Sequence, residues 1–335
     1  MGNDLTERNL SITSDTPYRV LIIGLGRIGM GYDLDKSHTH VLSHARAFRA
    51  HEKFQLAGGV DDDGERRKVF EASYNCPAFP NIESAMRMLK PDIVAVAVPT
   101  DKHAAVVQQV LSAGSPRAIL CEKPLASSLR DGIDMLESCR KKECALYVNY
   151  MRCSDVTVNE ILKCLDTKTI QAPLKGIVWY SKGLYNSASH FVNLSQYLLG
   201  EVIDIHVSGK GDKRVDQDPE PDFRLTFTRG EIHFVAAGAG SLFHNSMEWI
   251  TPNGRLRYER GGAVTYWEVA ASDSVYSGYT VIGTHAEQLP ADFQRIQWYV
   301  ADQLAASLDG HHARICTGES ALRTMEVITR IEESL

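Results

Sequence analysis

Apolar residues in the first half of the chain come in short, unbroken runs. Tyr18-Arg19-Val20-Leu21-Ile22-Ile23 ends at Gly24-Leu25-Gly26-Arg27-Ile28-Gly29, and Phe54 to Val60 closes on Asp61. Pro91 to Thr100 is followed by an amphipathic helical pattern from Lys102 to Ala113, closed by Gly114, and Arg117 to Cys121 leads straight into Glu122-Lys123-Pro124. Runs of this kind fit strands buried on both faces, the condition of a parallel sheet covered by helices. From Leu174 onward the pattern changes. Strand-like runs at Ile177–Lys182, Val202–Ser208, Phe223–Thr228, Glu231–Ala237, Met247–Thr251, Arg255–Glu259 and Val264–Val269 are punctuated by Gly230, Pro252-Asn253-Gly254 and Gly261-Gly262. Turns this short predict an antiparallel meander rather than further strand-helix-strand units. One helix interrupts, from Ser187 to Leu199, stopped by Gly200.

The 335 residues suggest about two domains, and 44% hydrophobic with 23% charged content excludes disordered, collagen-like and membrane-embedded chains. A net charge of −6 offers no basic field for nucleic acid or anionic lipid. The seven cysteines form no Cys-x-x-Cys pair and are odd in number, so they read as reduced thiols in a reducing compartment. Met1 to Thr16 is polar and acidic, which reads as a frayed tail rather than a signal peptide, and no apolar run reaches the length of a membrane span. A cytoplasmic location is expected.

Gly24, Gly26 and Gly29 have separate physical jobs after a buried strand: a tight turn, close backbone approach to a pyrophosphate, and close helix packing. Asp61, at the end of the second strand, stands where a dinucleotide fold places the acid for the adenosine ribose hydroxyls. The gap between Gly24 and Asp61 is long, and the excess falls in a polar insertion, Tyr32 to His44, expected to shape one wall of the site. Asp62 and Asp63 read as a solvated turn. The acidic trio favours NAD, while Arg66 and Arg67 keep NADP open. Thr100, His103 and Lys123 all fall beyond carboxyl ends of strands, where open parallel sheets bind ligands.

Gly24-x-Gly26-x-x-Gly29, Asp61, Pro99-Thr100-x-x-His103 and, most specifically, Glu122-Lys123-Pro124 resemble the glucose-fructose oxidoreductase / inositol dehydrogenase (Gfo/Idh/MocA) family. The resemblance continues through Asn149-Tyr150-Met151-Arg152 and Asn186 to His190, and ends in a return helix, Gly318 to Leu335. It implies an α/β Rossmann domain (17–150), then an α+β domain with an open, mostly antiparallel sheet (151–317), then the return helix (318–335) packing on the Rossmann domain. It further implies that NAD or NADP is bound by Gly24, Gly26, Arg27, Ile28, Gly29, Asp61, Pro99, Thr100, His103, Glu122 and Asn149. Lys123, His190 and Asn186 are the implied catalytic residues, with Tyr185 and Asn193 joining them around the substrate. Asn186 departs from the family, most members of which carry Asp there. An amide cannot stabilise a protonated imidazole as a carboxylate does, so His190 is expected to be a weak base and Lys123 the principal charge near the reacting oxygen.

The activity implied is hydride transfer between NAD(P) and a hydroxyl or keto carbon of a sugar, polyol or nucleotide-activated sugar. Two other readings stay open: an NAD-sensing regulator without turnover, and a redox-neutral NAD-using glycosidase. His38, His40, His44 and His51 lack acidic or thiolate partners at a metal-binding interval, so no metal is expected. Apolar residues of the second sheet, Ile232, Phe234 and Val235, suggest a subunit contact and hence a homodimer or homotetramer.

Overall fold

A computed structural model describes residues 16–37, 39–209, 211, 218–238 and 243–335. The expectations for the N-terminal tail up to residue 15 and for His38 lie outside the described residues.

The first half alternates as expected: β1 (Tyr18–Ile23), α1 (His44–Ala50), β2 (Phe54–Val60), α2 (Gly64–Tyr74), β3 (Ala78–Phe79), α3 (Ile82–Leu89), β4 (Ile93–Val96), α4 (His103–Ala113), β5 (Ala118–Cys121), α5 (Leu129–Lys141) and β6 (Ala145–Val148). The strands form one parallel sheet in the order β3-β2-β1-β4-β5-β6. Every residue of β4 and β5 is buried, as unbroken apolar runs require when helices cover both sheet faces. The order reverses between β1 and β4, so the crevice beyond their carboxyl ends opens where this fold binds its ligand.

The second half contains α6 (Val156–Asp166), β7 (Leu174–Tyr180), α7 (Ser189–Leu199), β8 (Val202–Gly209), β9 (Asp222–Phe227), β10 (Gly230–Ala236), β11 (Ser246–Thr251), β12 (Gly254–Glu259), β13 (Val264–Ser272) and β14 (Thr280–Gln288). Its eight strands run β14-β13-β12-β11-β7-β10-β9-β8. Two features differ from the expectation. β7 inserts between β11 and β10 and runs parallel to β10, which the excursion through α7 to the sheet edge makes possible. β14, whose residues are mostly exposed, pairs with β13, and its weak apolar alternation hid it from the pattern analysis.

Alternate residues of β9, β10, β11 and β12 point inward onto α6 and α7, burying Phe223, Phe234, Trp249 and Tyr258. Ile232 and Phe234 are therefore core, fully buried, and not contact surface; of the three residues expected to meet a partner, only Val235 shares the outer face, opposite Trp179. Two helices close the chain, α8 (Ile296–Leu308) and α9 (Gly318–Glu333). α8 packs Val300, Ala301 and Leu304 on one side of the parallel sheet. α9 puts Ala321 and Met325 into the core on the other side, and Val327, Ile328 and Ile331 into the core of the second sheet. One helix thus ties both cores together.

Candidate active site

The glycine turn after β1 shows why its residues lack side chains. Gly24 has φ +96°, and a Cβ there would stand 2.5 Å from the Ala97 carbonyl oxygen; at Gly29 it would stand 2.0 Å from that of Gly24. Gly26 differs, because a Cβ there meets nothing within 4 Å. Around that open face the amides of Gly26, Arg27 and Ile28 find no acceptor among the described residues, although the Gly26 and Ile28 carbonyls are engaged. A cradle of free N–H groups beside empty space suits a pyrophosphate.

Helix α1 does not begin at this turn. The chain leaves after Gly29, runs through the insertion and returns so that His44 N–H and Ala45 N–H bond to the carbonyls of Ile28 and Gly29 (3.0 and 2.9 Å). The helix is in effect spliced back onto the glycine turn, keeping its dipole aimed there. Asp33, completely buried, holds the splice by accepting from Leu42 N–H, Ser43 N–H and Ser43 Oγ at 2.7, 2.9 and 2.7 Å. Val41 reaches across to Gln294 and Gln297 in the second half of the chain. That accounts for the long spacing between Gly24 and Asp61.

A cleft of about 760 Å³ runs from the glycine turn past Arg27, Asp61 and Arg66 to Pro99. Asp61 is buried, accepting from Leu25 N–H at 2.7 Å and Asp63 N–H at 2.9 Å, with Arg66 Nη1 3.6 Å away. Asp63 is the N-cap of α2, and its carboxyl is held below the usual range by the N–H groups of Glu65 and Arg66.

Thr100, next along the chain from Pro99, lines a second cavity of about 630 Å³ together with Lys123, Tyr185, Asn186, Asp218 and Glu332. Lys123 Nζ donates to the Asn186 carbonyl at 2.8 Å and to its Oδ1 at 3.0 Å. Burial lowers the Lys123 pKa; Glu122 and Asp218 oppose the shift and Arg152 adds to it. Behind Lys123, Glu122 Oε1 lies 2.8 Å from His44 Nε2 and accepts from Asn149 Nδ2 at 2.6 Å. Burial would raise the Glu122 carboxyl, but the hydrogen bonds of His44 and Asn149 and the Lys123 charge outweigh it and hold it below the usual range. Asn149 Oδ1 is buried without a partner among the described residues, an acceptor left over beside Glu122.

His190 sits in the first turn of α7, with a single π-helical turn at Leu184–Ala188 ahead of it. Burial, then the charges of Lys123 and Arg152, push its pKa well below the usual imidazole value, so the ring is neutral at physiological pH. Its Nδ1 is sealed from solvent and has no partner among the described residues, while the Tyr150 ring stands edge-on at 5.6 Å. Asn186 faces Lys123 rather than His190, which answers how the amide is used: it is an acceptor for the ammonium.

Two expected site residues are elsewhere. His103 is completely buried, its Nδ1 at 3.0 and 3.2 Å from the carbonyls of Pro124 and Leu125 and its Nε2 at 3.0 Å from that of Val98. It pins the loops after β4 and β5 to each other and cannot touch a cofactor. Asn193 is also buried, between Cys153 Sγ, Cys316 Sγ and Thr324 Oγ1, so it joins α7 to α9 and does not face substrate. Tyr185 lines the cavity, with its hydroxyl donated to Glu332. Asp218 and Glu332 were not singled out from the sequence, and buried Arg152 was read only as part of the Asn149-Tyr150-Met151-Arg152 motif and not as a site residue. For Asp218 the available signal was the alternating Asp218-Pro219-Glu220-Pro221-Asp222, an acidic run too rigid for a solvated loop.

Comparison with known proteins agrees with this geometry. Residues 18–150 match the family model described as an oxidoreductase family with an NAD-binding Rossmann fold. The myo-inositol 2-dehydrogenase of Thermotoga maritima is 23% identical over 219 residues, 60% of each chain. The UDP-N-acetylglucosamine 3-dehydrogenase of Acidithiobacillus ferrooxidans is 25% identical over 134 residues, 40% of this chain and 37% of that one. The chain thus aligns with between about a third and three-fifths of the length of these relatives. An NAD-binding oxidoreductase from Klebsiella pneumoniae superposes with a TM-score of 0.76 at 16% identity, over 95% of this chain and 96% of that one, which shows the shared two-domain fold. Glycine cradle, strand-end acid, Glu122-Lys123-Pro124 and sequence match converge on residues 18–150 as a domain that matches the NAD-binding Rossmann fold of the Gfo/Idh/MocA oxidoreductase family.

Proposed function

We propose that the protein is an NAD-dependent dehydrogenase acting on a secondary hydroxyl of a neutral polyol or sugar. The observation that carries this is the adjacency of two cavities at one strand end: Pro99 lines the dinucleotide cleft and Thr100 the cavity into which Lys123 projects. Bound NAD would supply the hydride acceptor. The chain's own residues do the rest. Lys123 has three N–H donors and gives two to Asn186, leaving one for a hydroxyl oxygen whose negative character grows as the carbonyl forms. Neutral His190, close enough to Lys123 to feel its charge, keeps one unprotonated ring nitrogen, which is what a base requires. Glu122, locked between His44 and Asn149, keeps a negative charge behind the ammonium. Asp218 and Glu332 line the same cavity; two carboxylates there offer acceptors to hydroxyl groups and repel uronates and phosphates. The outer face of the second sheet exposes Trp179 and Ile250, which supports a homo-oligomer formed through that face.

The test is absorbance of NADH over a panel of cyclitols, hexoses, uronates and UDP-sugars, with Lys123→Ala as control. Turnover of neutral polyols that Lys123→Ala lowers by about three orders of magnitude or more is expected. Tight NAD(H) binding with no turnover on any class would overturn the dehydrogenase in favour of a sensor, and glycoside cleavage without net NADH would favour the redox-neutral reading. Preference for UDP-sugars would overturn the neutral-substrate part alone.

A further inference from the structure

The geometry points to Asp218 as a positioning residue of the catalytic centre: from the connection between β8 and β9 it supplies the negative charge beside Lys123 that the amide of Asn186 does not. The inference rests on reading Lys123 as catalytic. Asp218 Oδ1 accepts the Tyr185 N–H at 2.9 Å and its Oδ2 the Asn186 N–H at 2.7 Å. At the other end of Asn186, the carbonyl oxygen takes the Lys123 ammonium. Carboxylate and ammonium therefore grip the same residue from its two ends, and both line one cavity.

The turn is shaped to admit that carboxylate. Gly183 has φ +95°, and a Cβ there would lie 2.1 Å from the Asp218 carboxylate. The neighbouring Glu220 accepts from Lys182 N–H at 2.6 Å and Gly183 N–H at 3.1 Å. Two consecutive acids of the Asp-Pro-Glu-Pro-Asp run thus hold four of the five amides from Lys182 to Asn186, the Leu184 N–H going to the Pro219 carbonyl between them, just ahead of the helix that carries His190. The other charged groups around Lys123 are Glu122 at the end of β5, Arg152 after β6 and Glu332 on α9 across the cavity, with the neutral but titratable His190 on α7. Glu122 is already engaged by His44 and Asn149, and Arg152 opposes protonation. Removing the Asp218 charge leaves Lys123 more readily deprotonated.

The experiment titrates Lys123 directly, by amine acylation at a series of pH values read by peptide mass spectrometry, in the wild type, Asp218→Asn, Asn186→Asp and the double variant. Labelling needs no turnover, so this outcome is separate from that of the dehydrogenase assay. Asp218→Asn is expected to move the Lys123 midpoint to lower pH, Asn186→Asp to move it up, and the double variant to return toward the wild type. With an active substrate in hand, kcat/KM of Asp218→Asn is expected to fall about 10- to 100-fold, with its Lys123-dependent limb displaced in the same direction. Asp218→Ser, which keeps an acceptor oxygen without the charge, serves if the Asn variant does not fold. An unchanged Lys123 midpoint in a folded variant without the carboxylate overturns the proposal. A displaced midpoint in a protein that turns over none of the panel leaves it standing while the dehydrogenase reading fails.

Discussion

Asp155 shows how far burial can move a single carboxyl in this protein. It caps α6 by accepting the Thr157 N–H at 3.0 Å, yet its other oxygen is buried without a partner among the described residues. Burial raises its pKa to about 6 against the opposing Thr157 N–H and the Arg152 charge. A group raised in the folded state favours folding fully below its unfolded value near 4 and loses that contribution as pH rises through 6. Asp155→Asn keeps the cap and removes the buried charge. Urea unfolding should show it more stable than the wild type by about 2 kcal/mol at pH 7.5, with the gain vanishing toward pH 4; a gain equal at both pH values would contradict the assignment. At the same scale, Lys123 and the His190 motif were legible because their residues adjoin a strand end or a helix start in one continuous segment. His103 was misread for the opposite reason: three residues from Thr100 puts it near the site, but the first turn of α4 rotates its ring inward onto the loop carbonyls.

The glycine turn makes a prediction that separates binding from folding. Gly26 has open space where a side chain would go, whereas Gly29 lies against the Gly24 carbonyl. Gly26→Val should leave the unfolding midpoint of the cofactor-free protein within about a degree of the wild type, while weakening NAD affinity about 100-fold or more by calorimetry. Gly29→Ala should lower stability by about 1–3 kcal/mol before any ligand is added. Equal destabilisation by both would mean that the open face of Gly26 is structural. The strand-glycine-helix order was readable at this scale, but the splice was not. A polar insertion in sequence gives no sign that its ends meet; the Asp33 carboxylate, buried against Leu42 and Ser43, and the bonds of His44 and Ala45 N–H to the glycine turn bring them together. β14 stayed hidden because a strand with one solvated face and few apolar residues leaves little periodic signal.

At the scale of the whole molecule, α9 belongs to both cores and α8 to the parallel sheet, so the cavity between the sheets is set by one helix that contacts each. The outer face of the second sheet carries Trp179 and Ile250 at 40 and 48% exposure, apolar side chains of a kind ordinarily covered in an assembly. Sedimentation should show a dimer or tetramer at micromolar concentration, and Trp179→Glu with Ile250→Lys should release monomers. A wild type that sediments as a 37 kDa monomer sinks the idea. The amino-acid sequence by itself determined the parallel sheet, the glycine turn and the placement of Lys123 beyond a strand end and of His190 near a helix start, because each depends on neighbours within a few residues and on the periodicity of apolar positions. Only the tertiary structure decided that Asn186 serves Lys123, that Asn193 and His103 are interior braces, and that Asp218 and Glu332 enter the site. Those groups arrive from separate segments, and which of them meet is a matter of how two sheets and one shared helix pack.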